Sequence, residues 1–384
     1  MPVINRIAGL APEMTEWRRA LHSAPELQFD CHETAAFVAA RLREFGVDEV
    51  HEGIARTGLI AVIEGRGPGP VTALRADMDA LPIEEATGAE WASRTPGAMH
   101  ACGHDGHTAM LLGAAKYLAE TRSFPGRAVL IFQPAEEGGG GAGVMVEEGI
   151  MERFGVDAVF ALHNVPNAPE GALFARPGPV MAAVDTFDIR LTGRGGHGAY
   201  PQETADPIPA AAALVSAVQT IVSRNHDGRR DLVVSVTQIH AGSADNVIPS
   251  EATLQGTVRT FEAEVRDMVE RRLQEIAAGI AAAHGVEAEV AYTRGYPATS
   301  NDPAAFARAL AVAREVAGDA MVDGDAPREM GAEDFAYMLE ARPGAYLFLG
   351  AGPGAGLHHP KFDFNDAIAP IGASWLARMV ERAA

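Results

Sequence analysis

The sequence predicts an α/β fold: a mostly parallel sheet with helices on both faces, interrupted by an inserted α+β domain of ferredoxin-like order. Three observations carry this expectation. The chain has 384 residues, more than the ~250–300 over which one hydrophobic core keeps growing, so two structural units are expected. From about residue 35 to 165 apolar strand patterns alternate with helical ones, as strands joined by crossover helices do. Between 184 and 292 the order becomes strand, helix, strand, strand, helix, strand.

Each element follows from its pattern. "ETAAFVAARLREFG" has helical spacing, "GLIAVIEG" and "VTALRAD" are apolar runs of strand length, and "GHTAMLLGAAKYLAE" is a helix. "GRAVLIFQP" is a strand, "AGVMVEEGIME" a helix and "VDAVFALHN" a strand. "VDTFDIRLTG" alternates like a half-buried strand and opens the insertion; the helix "AAFARALAVAREVAG" and strand "GAYLFLG" return the chain to the first sheet. The expected boundaries are 1–183 with 293–384 for the sheet domain and 184–292 for the insertion. Parallel sheets form their sites outside the carboxyl ends of the strands. Asp77 and Asp79, Glu136 and Glu137, and His163 all fall at such ends.

Charge excludes several classes of partner. The formal net charge of −20 repels phosphate backbones and anionic lipid surfaces, and no basic run offers an exception, so neither nucleic acid nor membrane is expected as a partner. The first residues lack an uninterrupted apolar segment of the secretory kind; Ile4, Ile7, Leu10 and Met14 instead have the spacing of an amphipathic surface helix. "DPIPAAAALVSAVQTIVSR" is alanine-rich, interrupted by Pro209, Ser216 and Gln219, and too short for a span. A cytoplasmic location is expected, where Cys31 and Cys102 stay unpaired.

"MHACGHDGHTAM" sets Cys102 one residue from His104 in a glycine-bearing turn, a spacing from which both can face one cation. The same stretch also reads as a polar helix start with satisfied histidines. His100 and His107 read as supporting or capping residues, because four ligands from one short stretch would crowd each other. In "QPAEEGGGGAG", adjacent Glu136 and Glu137 are costly at the end of an apolar strand unless a cation or proton is shared there; a solvated acidic loop is the alternative. His163 follows a buried strand directly, as a ligand or as a core histidine bonded to backbone. "LHHPKFDFND" adds His358 and His359 after a glycine-rich loop.

Taken as a set, "RRALHSAPEL", "RADMDALP", "MHACGHDGHTAMLLGAA", "QPAEEGGGGA", "ALHN", "GRGGHGAYP", "NVIP", "GAEDFAYM" and "LHHPKFDFND" resemble, in order and over essentially the whole chain, the two-metal amidohydrolase and carboxypeptidase family. The branch resembled is that of hippurate hydrolases, N-acyl-amino-acid amidohydrolases and auxin-conjugate hydrolases. The resemblance implies a metal-binding catalytic domain with the insertion as a lid. Two divalent metal ions per subunit are implied, zinc or manganese, with cobalt or nickel also compatible. It implies Cys102 as a shared thiolate joined by His104, Glu137, His163 and His358, with His359 in place of His358 if the loop is shifted by one. Glu136 becomes the general base and Asp79 the carboxylate that orients the site; more distant relatives carry a metal-binding histidine where this chain has Asp77. His197 is implied to stabilise the oxyanion in the partner subunit's active site, hence a homodimer or higher homo-oligomer formed through the lid, and Asn246 and Arg259 to hold the substrate carboxylate. For Arg259 a surface cation is the alternative. The expected activity is hydrolysis of the amide bond of a small-molecule N-acyl amino acid, with dipeptidase or carboxypeptidase activity as the alternative.

Other classes leave weaker traces in the sequence. Gly138, Gly140 and Gly143, and again Gly193, Gly195 and Gly198, match the glycine spacing of dinucleotide-binding oxidoreductases. The first set follows two carboxylates that would oppose a pyrophosphate, and the second runs into "AYP". A thiol enzyme using Cys102 with His104 or His107 would survive chelation. A non-catalytic metal-dependent binding protein has no use for Glu136 beside Glu137.

Overall fold

In the computed structural model, which describes residues 3–383, the chain forms two compact units. One runs to Val180 and takes in Thr299–Arg328 and the residues from Asp334 on; the other is Met181–Ala298 with Glu329–Glu333. The second unit thus gains five residues from beyond the insertion, held by a bridge between Met181 and Glu329.

An eight-stranded sheet organises the first unit. Its centre consists of Arg127–Gln133, Val71–Asp77, Ala158–Val165 and Gly344–Gly350, in that order and all parallel. Every residue of Val71–Asp77 and of Gly344–Gly350 is buried, so both faces of these strands are covered. The helix His104–Thr121 packs against Ala11–His22, His32–Phe45 and Ala369–Glu381. Parallel pairing brings strand ends to one edge: Asp77 is level with Gln133, and His163 with Phe348. The loops leaving that edge carry the acidic pair and His358 and lead to His104, while His163 lies on its strand.

The structure adds two local details. A strand at Glu49–Ile54 pairs antiparallel with Gly58–Glu64 at the rim of the sheet. Its polar, mostly exposed "EVHEGI" carries no strand periodicity because an edge position buries too few side chains to impose one. The N-terminal segment is two helices, Asn5–Ala8 and Ala11–His22, amphipathic as expected: Ile7, Leu10 and Met14 are wholly buried while Asn5, Arg6, Ala8 and Pro12 are exposed.

The second unit is a four-stranded antiparallel sheet in the order Leu232–Ala241, Glu251–Thr260, Ala183–Thr192, Glu287–Arg294, with the helices Pro207–Thr220 and Ala263–His284. This is the ferredoxin-like arrangement. Its core joins Phe187, Ile189 and Leu191 of the first strand to Leu214 and Val218 of one helix and Val269 and Leu273 of the other. Among the described residues no helix is long and apolar enough to cross a membrane.

Beside this core, the buried Asp185 carboxylate accepts hydrogen bonds from the Arg266 guanidinium, from the Tyr292 hydroxyl at 2.6 Å and from the Gly295 N–H at 3.1 Å. Removing it strands a nearly buried guanidinium. Asp185→Ala is expected to destabilise the second unit by about 3 kcal/mol, read as an earlier transition in urea.

Candidate metal centre

The turn before the helix His104–Thr121 is what aims Cys102 and His104. Gly103 sits there at φ +94°, and a Cβ on it would lie 2.2 Å from Asn164 Oδ1, so both the backbone and the space demand glycine. The acidic pair leaves the Arg127–Gln133 strand through Ala135, which takes the left-handed conformation at φ +58°. Asp79 then takes the Glu136 N–H on Oδ1 at 2.9 Å and the Glu137 N–H on Oδ2 at 3.0 Å.

Hydrogen bonds fix the tautomers. His104 Nδ1 lies 2.8 Å from the Asp79 carbonyl oxygen, and His163 Nδ1 lies 2.7 Å from that of Asn164. A carbonyl only accepts, so both Nδ1 atoms carry hydrogen, and in the neutral imidazole it is Nε2 that presents a lone pair. His163 Nε2 stands 3.4 Å from Cys102 Sγ. His104 Nε2 is buried without a hydrogen-bond partner, 4.0 Å from Glu137 Oε1, which is also buried without one. His358 Nε2 lies 3.3 Å from that oxygen. The donor atoms of Cys102, His104 and His163 fall within 4.8 Å of one another, as do those of Cys102, Glu137 and His358, the two groups meeting at the sulfur. Glu136, buried, joins His104 and Glu137 in a third such group.

The electrostatics of these side chains call for positive charge. Burial pushes the Cys102 thiol up to about 12, so a thiolate persists here only when a cation shares the space. Burial and the neighbouring His107 push His163 well down, which keeps it neutral. Burial opposes a proton on His104, yet Asp77, Cys102 and Asp79 together outweigh it and raise that pKa. For Glu137, burial is outweighed by His358 and His104, and the carboxyl is held low. One sulfur, three imidazole nitrogens and a carboxylate oxygen, two of these atoms buried without a hydrogen bond, fit first-row divalent cations.

A ring of buried charge supports these donors. Asp77 shares Oδ1 with His107 Nδ1 at 2.6 Å and accepts from Arg75 Nη1 on Oδ2 at 2.7 Å, while His107 Nε2 meets Asn164. Arg75 also donates to Gln133 and to Asp334, and Asp334 accepts the Ala142 N–H at 2.9 Å. His100 is buried, and burial drives its imidazole down to about 3. His359 accepts the Lys361 N–H on its own Nδ1 and stands in none of the donor groups found among the described residues.

His197 and Asn246 lie in the second unit and adjoin each other: the two-residue strands Gly196–His197 and Val247–Ile248 pair, and the Gly198 N–H donates to the Asn246 carbonyl at 2.8 Å. His197 is exposed, its Nδ1 accepting the Ala199 N–H at 3.0 Å. Arg259 is on Glu251–Thr260, half-buried, its guanidinium donating to the Val258 carbonyl and the Thr257 hydroxyl. Burial lowers its pKa. The second glycine motif leads into strand Gly196–His197 and a 3-10 turn at Pro201–Glu203, not a helix.

Arg75, Asn164 and Asp334 carried no role in the sequence reading. The signal for Arg75 is available in retrospect: a cation inside the apolar run "VTALRAD" is tolerated only with buried partners.

Comparison with known proteins agrees with this geometry. Peptidase family M20/M25/M40 matches residues 73–382. A hippurate hydrolase of Campylobacter jejuni is 41% identical over 99% of this chain and 98% of its own length. A thermostable carboxypeptidase of Saccharolobus solfataricus is 38% identical over 97% of each chain. The crystal structure of the Bacillus subtilis YXEP protein, described as a dinuclear metal-binding peptidase of family M20, superposes with a TM-score of 0.87 at 36% identity, covering 98% of both chains. The chain therefore belongs to peptidase family M20/M25/M40 and is a hydrolytic enzyme.

Proposed function

We propose that this enzyme hydrolyses the amide bond of N-acyl amino acids of the hippurate or N-acetyl type, releasing a carboxylic acid and a free amino acid. One observation carries the reading: Glu136 lies beside two donor groups that share Cys102 and contain buried donor atoms left without a hydrogen bond. In this reading Cys102, His104, Glu137, His163 and His358 hold two divalent cations, zinc or manganese, with cobalt or nickel also suited to the donors. The cations supply Lewis acidity, which makes a water molecule nucleophilic near neutral pH and polarises a carbonyl.

The remaining steps belong to the chain. Glu136 takes the proton from the attacking water as its oxygen bonds to the amide carbon, then returns that proton to the nitrogen as the carbon–nitrogen bond breaks. His197 donates a hydrogen bond to the developing oxyanion. Asn246 and Arg259 hold the carboxylate of the amino acid; a guanidinium that burial already destabilises gains from such an anion. The likeness to a hippurate hydrolase favours an acyl-amino-acid substrate over a dipeptide. The likeness to a carboxypeptidase keeps peptide cleavage as the second reading.

We also infer a homodimer formed through the second unit. Leu232–Ala241 is an edge strand of its sheet, and Ile239 on it is exposed, as are Tyr200, Ile208 and Val247 of the same unit. A cytoplasmic location suits two unpaired cysteines.

Three outcomes test this. A panel of N-acyl amino acids and dipeptides, assayed with added zinc or manganese, should show turnover of hippurate or N-acetyl substrates that a strong chelator abolishes and metal restores; activity surviving exhaustive chelation refutes the metal reading. Glu136→Gln should keep wild-type metal content by elemental analysis while kcat falls by about 10²–10⁴. If His197 serves the neighbouring subunit, Glu136→Gln and His197→Ala chains, each inactive alone, should recover about a quarter of wild-type activity on coexpression, since half the dimers are mixed and each then has one intact site.

A further inference from the structure

Four of the five proposed ligands come from well-held positions: Cys102, His104 and His163 are buried, and Glu137 is gripped through its backbone by Asp79. His358 differs. Its side chain is 52% exposed, its backbone is left-handed at φ +61°, and the chain before it passes Gly352, Gly354 and Gly356. A non-glycine residue keeps such a conformation only when its surroundings over-determine it. The imidazole is too exposed for its own packing to do this, so the restraint comes from its backbone bond to Ala101 and from the segment that follows.

That segment, residues 359–366, is held by Arg19 on Asp366, by the Ala86 N–H on the Pro360 carbonyl and by Asn365 on the Ala351 carbonyl, and at its centre by one buried cation. Arg18, on the helix Ala11–His22, is 1% exposed. Its Nε and Nη2 donate to the two oxygens of Asp366 at 2.8 and 2.9 Å, and Nη1 donates to Asp363 at 2.9 Å. The same Nη1 is 3.9 Å from the carboxylate of Asp105, the neighbour of His104, which also receives the His22 Nδ1–H at 2.8 Å. The guanidinium thus links the His358 segment to the start of the helix that carries His104. Two contacts run parallel to it: the His358 N–H donates to the Ala101 carbonyl at 2.8 Å, and the Phe364 ring fills the space where a Cβ on Gly106 would lie, 2.3 Å from that position.

We propose that Arg18 is a positioning residue for His358, and through it for the cation held by Cys102, Glu137 and His358, leaving the position formed by Cys102, His104 and His163 largely untouched. This rests on the ligand set proposed above. A bidentate fork is what the pair with Asp366 requires, so lysine is a partial substitute only.

The test is titration of metal-free enzyme with cobalt(II) alone, followed by visible absorption and by elemental analysis after gel filtration, in wild type, Arg18→Met, Arg18→Lys, Asp366→Asn and His358→Ala. Wild type should take up two equivalents. Arg18→Met and Asp366→Asn should keep the affinity of the first equivalent and its sulfur-to-cobalt band while the second weakens by about tenfold or more, as His358→Ala does, with Arg18→Lys in between. Asp366 is partly exposed, so its variant carries the test if Arg18→Met does not fold. Wild-type uptake of both equivalents in Asp366→Asn and in folded Arg18→Met overturns the proposal. Equal weakening of both equivalents also overturns it, because that is the mark of general loosening. If His358→Ala itself binds two equivalents like wild type, the ligand set fails and takes the proposal with it, an outcome distinct from the other two.

Discussion

The grip of Asp79 on the backbone of the acidic pair is the interaction on which the rest of the centre depends. Its two carboxylate oxygens accept consecutive N–H groups from Glu136 and Glu137, while its own carbonyl holds His104 in the tautomer that frees Nε2. One residue at the end of one strand thus sets the next strand's exit loop and the first residue of a helix. Consecutive N–H groups aimed at a single carboxylate fix the local backbone from which the two glutamate side chains depart. This is how neighbouring carboxylates come to serve different chemistry: Glu137 faces His104 and His358, and Glu136 remains beside them.

Around that grip lies a shell of compensated charge. Asp77 is wholly buried, and burial alone would protonate it, but His104, Arg75 and His107 hold its carboxyl well below the usual range. Arg75 in turn is shared with Asp334 and Gln133. Such a network costs desolvation and returns geometry: every member is bonded to the next, so the imidazoles have one orientation instead of several. Rigidity at the centre is set by polar pairs in an apolar sheet, and the apolar packing alone would not define the directions of lone pairs.

Much of this was legible in the sequence. The central strands, the long helices and the order of the insertion follow from periodicity, because deep burial imposes a pattern on every residue of "VTALRAD" or "GAYLFLG". The donors were legible because Cys102, the acidic pair and the lone His163 are expensive where they stand. What stayed hidden was of two kinds. Edge elements such as Glu49–Ile54 bury too little to leave a pattern, and Glu329–Glu333 joins the second unit by a pairing that no local signal announces. Long-range polar partners were hidden too: Arg18 with Asp366, or Arg75 with Asp334, are separated by hundreds of residues, and their meeting is a property of topology rather than of either neighbourhood.

The position of Gly344–Gly350 inside the large sheet bears on how the molecule is made. This strand lies beside Ala158–Val165, yet nearly the whole second unit comes between them in the chain. A ribosome must therefore release the whole insertion before the sheet can form, and His358, a few residues later still, is the last of the five donors to emerge. The insertion can complete its own strands and helices well before then, so the unit interrupting the sheet is ready before the sheet it interrupts. Until the final stretch appears, the earlier half keeps an apolar strand edge exposed, a period in which the nascent molecule depends on shielding from its neighbours.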